Sequence, residues 1–371
     1  MFDLLTHKLE VLYNSDEKSL HTAKSVSTGT NINSPEEFYS SFVNLDPQKT
    51  KIIETDSPPY IFPDNYSPSE VDLLNIINLK RLNNICRLED FLEAVNEWLP
   101  FKGIFICHAE TLEQRYSRII HKYPKSISYP FYILDFILKR LFPKWGPTKK
   151  IYYFLTKGNN SVLSLSHILG IFCFYGFKVQ YFKDINNLTY FVFQKINHPA
   201  FNSNDSSCGI FFKMKRVGQG GKIIDIYKLR TMHPYAEYLQ KFVYEINNLK
   251  DGGKIKDDFR IASWGKFLRK YWIDELPMLY NWIKGDLKLV GLRPLSEHYL
   301  SLYTKELRKK RLIYKPGLIP PFYYDLPKTL DEIMRSEERY MDQYDKSPIK
   351  TDLKYLANCL FNILLKGARS S

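Results

Sequence analysis

The sequence predicts an α/β protein built in two parts: an N-terminal α/β module and a C-terminal mixed α+β domain carrying a short membrane-associated helix. Three observations predict it. Apolar residues recur at three- and four-residue spacing in some stretches and as short continuous runs in others, the marks of amphipathic helices and buried strands. A polar run, HPAFNSNDSSCG, interrupts that patterning near residue 200. With 371 residues the chain is also long enough for two cores.

Residues 1–67 are rich in Ser, Thr, Asn, Asp and Lys and read as a polar extension. The α/β scaffold module is expected over 68–197. SPSEVDLLNIINLKRLNNI, opened by a Ser-Pro-Ser-Glu cap signal, and RLEDFLEAVNEWL read as two amphipathic helices. GIFICHAE (103–110) reads as a buried strand and TLEQRYSRIIHKY as a helix. SLSHILGIFCFYGFKVQYF followed by LTYFVFQKI predicts helix, Gly176 turn, strand, turn, strand. This order resembles the second half of a class I methyltransferase fold. Residues 1–102 hold one glycine, Gly29, and so no glycine-rich strand-to-helix turn where backbone could approach a ligand; the module reads as a scaffold.

A linker is placed at 198–208 and the C-terminal domain at 209–371. IFFKMKRVGQGGKIIDIYKLRTM predicts a hairpin turning at Gly218–Gly221, and YAEYLQKFVYEINNL a helix. Next comes WGKFLRKYWIDELPMLYNWIKGDLKLVGLRP (264–294), which reads as a basic apolar segment, the acids Asp274 and Glu275, a helix, a Lys-Gly-Asp turn and a short strand. Residues 328–368 return to helical spacing.

The formal charge of +13 with 15% aromatic residues suits anionic phosphates or an anionic membrane surface. Nucleic acid would rest on charge alone, with no recognisable module, and is not expected. Five scattered cysteines and the lack of an apolar leader in the first twenty residues point to reduced thiols on the cytoplasmic side. No apolar run reaches the ~20 residues of a spanning helix. The nearest is YPFYILDFILKRLF within 127–147, a candidate for dipping into a bilayer, with Lys139, Arg140, Lys144, Lys149 and Lys150 to attract anionic lipid.

Four motifs, in order, carry a second resemblance: FFKMKRVG (211–218), KIIDIYKLRTM (222–232), FRIASWGKFLRKYWIDELPMLYNWIKGDLKLVGLRPL (259–295) and YKPGL (314–318). The C-terminal domain resembles the bacterial sugar transferases, the monotopic polyprenyl-phosphate phosphoglycosyl transferases. The resemblance implies transfer of a sugar 1-phosphate from a UDP-sugar to polyprenyl (undecaprenyl) phosphate at the cytoplasmic face of the inner membrane, starting a polysaccharide or glycoconjugate. It implies Asp274 as nucleophile, forming an aspartyl-phosphosugar, and Glu275 as metal or proton partner, with Mg²⁺ held by the two acids. On its own an Asp-Glu pair is an ordinary helix opening; the ordered motifs reverse that reading.

Two adjacent carboxylates need cations nearby, and Lys266, Arg269 and Lys270 are at hand. Lys228 and Arg230 alternate on a predicted strand and suit a phosphate clamp. With them, Arg269 and Arg293 are expected as phosphate ligands. Asp286 divides evenly between a turn residue and a role in ordering the site. After YKPGL the family's usual Thr-Gly-Trp-Ala-Gln and Asn-Gly-Arg-Asn stretch is replaced by IPPFYYDLPKTLDEI (319–333), and in SEERYMDQY the family acid falls to Glu337 as a substrate contact. A non-catalytic membrane-associated scaffold or partner subunit is the competing reading, and a homodimer is left open.

Overall fold

The computed structural model describes residues 34–42, 49–55, 74–142, 146–199, 209–247 and 258–364. They form two units of mixed helix and strand. One holds the described residues up to 199 with 232–247 and 258–261; the other holds 209–231 and 262–364.

The first unit is built on a five-stranded sheet in the order β1-β2-β3-β5-β4, comprising β1 (Thr50–Ile53), β2 (Asn75–Asn78), β3 (Ile104–Ala109), β4 (Phe177–Ile185) and β5 (Leu188–Lys195). β1, β2 and β3 are parallel, and β5 runs antiparallel between β3 and β4. Alternation along β3 splits the core between two faces. Ile106 joins Ile77, Tyr181, Tyr190 and Val192 on one. Phe105 stacks with Phe172 on the other, where the Phe172 and Phe193 rings lie 3.7 Å apart. The helix, strand, helix, strand, strand order expected from residue 88 onward is present.

Two expectations are corrected. The stretch read as an amphipathic helix from residue 67 contains β2 and a short 3-10 turn, Leu82–Asn84; its residues 67–73 lie outside the described ones. All four residues of β2 are buried, with a parallel neighbour on each side. So short an apolar run fits a central strand as well as a helix, and pairing decides between them. Part of the expected polar extension belongs to the core as well. β1 pairs with β2, and helix Pro35–Phe42 inserts Phe38, wholly buried, between Tyr181 and Tyr190. One aromatic anchor every few residues was too sparse to register as periodicity.

The apolar segment forms helix Lys125–Phe136 and a π turn, Ile137–Leu141. Asp135 accepts two hydrogen bonds from Arg115, at 2.8 and 2.6 Å, which anchors the helix to the module. Ile127, Phe131, Leu134 and Ile137 stay exposed. Of the basic cluster, Lys144 and the side chains of Arg140 and Lys149 lie outside the described residues. Among the described residues no helix is long and apolar enough to cross a membrane.

Residues 232–247 and 258–261, expected within the C-terminal domain, pack in the first unit. Tyr235 donates to Glu89 Oε1 (2.7 Å) and stacks on His167. A Cβ at Gly170 would stand 2.5 Å from the Tyr235 carbonyl oxygen, so glycine permits the approach.

In the second unit β6 (Phe211–Val217) and β7 (Ile223–Leu229) form an antiparallel hairpin whose turn uses Gly220 and Gly221 at positive φ. β8 (Lys288–Val290) and β9 (Gly317–Ile319) pair in parallel. Helices Leu330–Lys346 and Pro348–Leu364 supply Tyr340, Met341 and Tyr355 to a core shared with Val290, Leu292 and Leu307.

Candidate active site

Asp274 and Glu275 sit on a single 3-10 turn, Ile273–Glu275, between helices Ser263–Lys270 and Met278–Ile283. The chain enters the turn through Trp272 in the left-handed conformation (φ 59°, ψ 16°). For a bulky residue this costs on the order of 1–3 kcal/mol, and packing must hold it. The Trp272 and Tyr323 rings have centroids 4.4 Å apart, in a cluster with buried Phe322 and Cys359.

The preceding helix is seated on Thr231. A Cβ at Gly265 would lie 2.0 Å from the Thr231 carbonyl oxygen, the same oxygen that accepts from Ala262 N–H at 3.0 Å. Arg269 Nε donates to Thr231 Oγ1 at 2.8 Å, fixing that guanidinium. On β7, Lys228 Nζ lies 2.5 Å from Glu275 Oε1, with both side chains largely buried. Burial first, then the Glu275 charge, push the Asp274 carboxyl above the ordinary carboxylate range; Lys228 and Arg269 pull the other way.

Asn281 locks this corner together. Fully buried, it accepts from Tyr227 N–H (3.0 Å) and donates to the Asp225 carbonyl (2.7 Å) and Asp286 Oδ2 (3.3 Å). Helix Met278–Ile283 is thereby tied to the edge of β7, and Asp286 has an ordering contact besides its turn and its ion pair with Lys284.

Two separate motifs meet at β8 and β9. Gly291 and Gly317 touch backbone to backbone: a Cβ on Gly317 would stand 2.1 Å from Gly291 N. Two cavities open beside this pair. The smaller, about 70 Å³, is lined by Lys228 and Glu275 together with Arg216, Arg293, Pro294 and Tyr323. The larger, about 500 Å³, shares Arg216, Arg293 and Pro294 and continues between Tyr299, Phe322, Lys328 and Ile333.

Residues 194–366 match the family model described as bacterial sugar transferase. This region of the chain belongs to that family. Among its relatives are the galactosyl transferase CpsE of Streptococcus agalactiae, 36% identical over 159 residues (42% of this chain, 34% of that protein), and the uncharacterized sugar transferase EpsL of Bacillus subtilis, 39% over 109 residues (29% and 48%). The undecaprenyl-phosphate galactose phosphotransferase of Salmonella typhimurium is 36% identical over 109 residues (28% and 23%). The chain thus spans 23 to 48% of the length of these relatives.

In this sugar transferase region the structure brings Asp274, Glu275, Lys228 and Arg269 into one corner and puts Arg293 on the adjoining cavity wall. Arg230 lies just past the end of β7; its Nε donates to the Gly209 carbonyl (3.2 Å) and its guanidinium lies over the Phe212 ring. Glu337 borders the larger cavity, but its carboxylate is ion-paired with the buried guanidinium of Arg311, which also donates to the Arg293 carbonyl at 2.7 Å. Sequence reasoning missed Arg216, Thr231 and Asn281. Arg216 lies inside the FFKMKRVG motif, and an Asn midway along the apolar run LPMLYNWI was a usable signal for a buried tie.

Among the described residues no cluster of three or more His, Cys, Asp and Glu could hold a metal. Mg²⁺ commonly takes one or two carboxylates and completes its shell with phosphate oxygens and water, and adjacent Asp274 and Glu275 fit that demand.

Proposed function

We propose that this protein transfers a sugar 1-phosphate from a UDP-sugar to polyprenyl phosphate through a covalent intermediate on Asp274. The observation that carries the reading is the corner itself: two adjacent carboxylates on a strained turn, flanked by Lys228 and Arg269, with Glu275 lining a cavity that Arg216 and Arg293 also wall.

An Asp274 carboxylate oxygen attacks the sugar-bearing phosphorus, and the bond from that phosphorus to the bridging oxygen breaks. Nucleoside monophosphate leaves with the electron pair. An oxygen of the carrier phosphate then attacks the same phosphorus and the carboxylate departs unchanged. Lys228 holds Glu275 in place, and with Arg269 it keeps Asp274 in the ionised form that attack requires. Arg216 and Arg293 meet the negative charge shared by the two phosphates. Asp274 and Glu275 are the residues that would hold Mg²⁺, which when bound supplies further charge neutralisation at the phosphates.

The carrier is a lipid, and the exposed apolar residues support a bilayer partner. In the first unit these are Ile127, Phe131, Leu134 and Ile137; in the second, Trp264, Phe267, Tyr271, Leu276, Tyr280 and Ile283 flank the acid pair in sequence. Relatives named as undecaprenyl-phosphate phosphotransferases support the same acceptor. The test is to incubate membranes with radiolabelled UDP-sugar and carrier. Asp274→Asn is expected to abolish both UMP release and labelled lipid. Wild-type UMP release by that variant would end the covalent mechanism.

A further inference from the structure

Phe322, Lys328 and Ile333 wall the larger cavity. We propose that this cavity seats the nucleoside monophosphate half of the donor, with Arg216 and Arg293 gripping the diphosphate where the two cavities meet, so that this chain's own 322–333 segment selects the nucleotide. The inference rests on the transferase reading and names where the donor lies within that site.

Size divides the donor between the cavities. At about 70 Å³ the cavity beside Lys228 and Glu275 has room for little more than phosphate oxygens. The neighbour, at about 500 Å³, lies inside the ~300–1,000 Å³ range of small-molecule sites. The two cavities share Arg216, Arg293 and Pro294, and of the two acids Glu275 lines the small one. In-line displacement puts the leaving group on the side of phosphorus away from the nucleophile. With the diphosphate held at the shared arginines, the larger cavity is the space that accepts the nucleoside monophosphate.

Charge and surface agree with this. Arg216 is partly buried and close enough to Arg293 that burial, then that like charge, depress its pKa; an anion between them relieves the repulsion. The cavity's one lining carboxylate, Glu337, is already neutralised by Arg311. Beyond the arginines, Tyr299, Phe322 and Ile333 offer the flat and apolar surface that a base and ribose require.

The experiment measures equilibrium binding of UMP and, separately, of galactose 1-phosphate to the purified full-length protein, alongside the transfer assay. Ile333→Trp fills the cavity and Arg216→Ala removes one grip; thermal unfolding checks that each variant is folded. Weakening of UMP binding by about tenfold or more in both variants, with galactose 1-phosphate binding changed less than about threefold in Ile333→Trp, supports the assignment. Unchanged UMP affinity in folded variants of an active wild type overturns it, as does selective loss of galactose 1-phosphate in Ile333→Trp. A wild type that neither transfers nor binds UMP overturns the transferase reading itself, an outcome distinct from the other two.

Discussion

Replacing Gly317 with alanine tests whether the meeting of β8 and β9 sets the geometry of the site. The new Cβ would stand 2.1 Å from Gly291 N, 2.5 Å from Gly291 Cα and 2.7 Å from Val290 C, all backbone atoms that no rotamer change can move. Ordinary contact begins near 3.4 Å, so β9 has to retreat from β8 by at least about 1 Å, and displacement on that scale in a catalytic frame costs on the order of 100-fold. Arg293, three residues beyond Val290, and Tyr323, four beyond Ile319, move with it. Gly317→Ala is expected to lower the rate of UMP release about 100-fold and to cost roughly 1–3 kcal/mol of stability by overpacking. Gly221→Ala is the control: its φ of +80° strains an alanine, but nothing lies within 4 Å. It should lose about 1–3 kcal/mol while keeping its activity. Equal activity of the two variants at 25 °C would refute the idea that the glycine contact positions the site.

Asn281→Ala removes three hydrogen bonds from a buried site and is expected to cost about 2–4 kcal/mol in denaturant unfolding, with a fall in kcat larger than any rise in KM. Glu337→Ala leaves the Arg311 guanidinium buried without its carboxylate and should cost roughly 3–5 kcal/mol; the paired change to Glu337→Met and Arg311→Met should recover most of it. His108 is buried against Tyr190, and burial, then the Arg81 charge, lower its pKa from 6.5 to about 4. The unfolded chain therefore binds the proton more readily between those values. The stabilisation is complete above pH 6.5 and is lost as pH falls toward 4, by up to roughly 3 kcal/mol for the first unit. His108→Phe should flatten that part of the stability profile measured by thermal unfolding.

How much was legible follows from how local each determinant is. The β6–β7 hairpin, the β4–β5 pair and the helix after the acid pair were readable because turn glycines and apolar spacing act over a few residues. β2 was misread because the partners that make it a strand lie 25 residues before it and 29 after it. The acid pair was identified from the order of motifs, whereas its cations depended on three-dimensional placement. Lys228 reaches Glu275, but Arg230, two positions on, lies past the strand end and reaches Gly209. Glu337 was expected at substrate; its buried pairing with Arg311 is set by two helices whose packing no local pattern reports.

The contact between Trp272 and Tyr323 reaches further than the strained turn it steadies. Tyr323 belongs to the segment proposed to select the nucleotide, and the backbone it supports carries Asp274, the proposed nucleophile. Selectivity and reactivity consequently share a hinge pin. Donor preference cannot be re-engineered through Tyr323 as though it sat on a detachable loop, because a change at that ring also re-aims Asp274. Variants that shift nucleotide choice should be sought first at Lys328, which lines the cavity; Ile333 lines it too but packs on the same Phe322, Tyr323 and Cys359 cluster as Trp272.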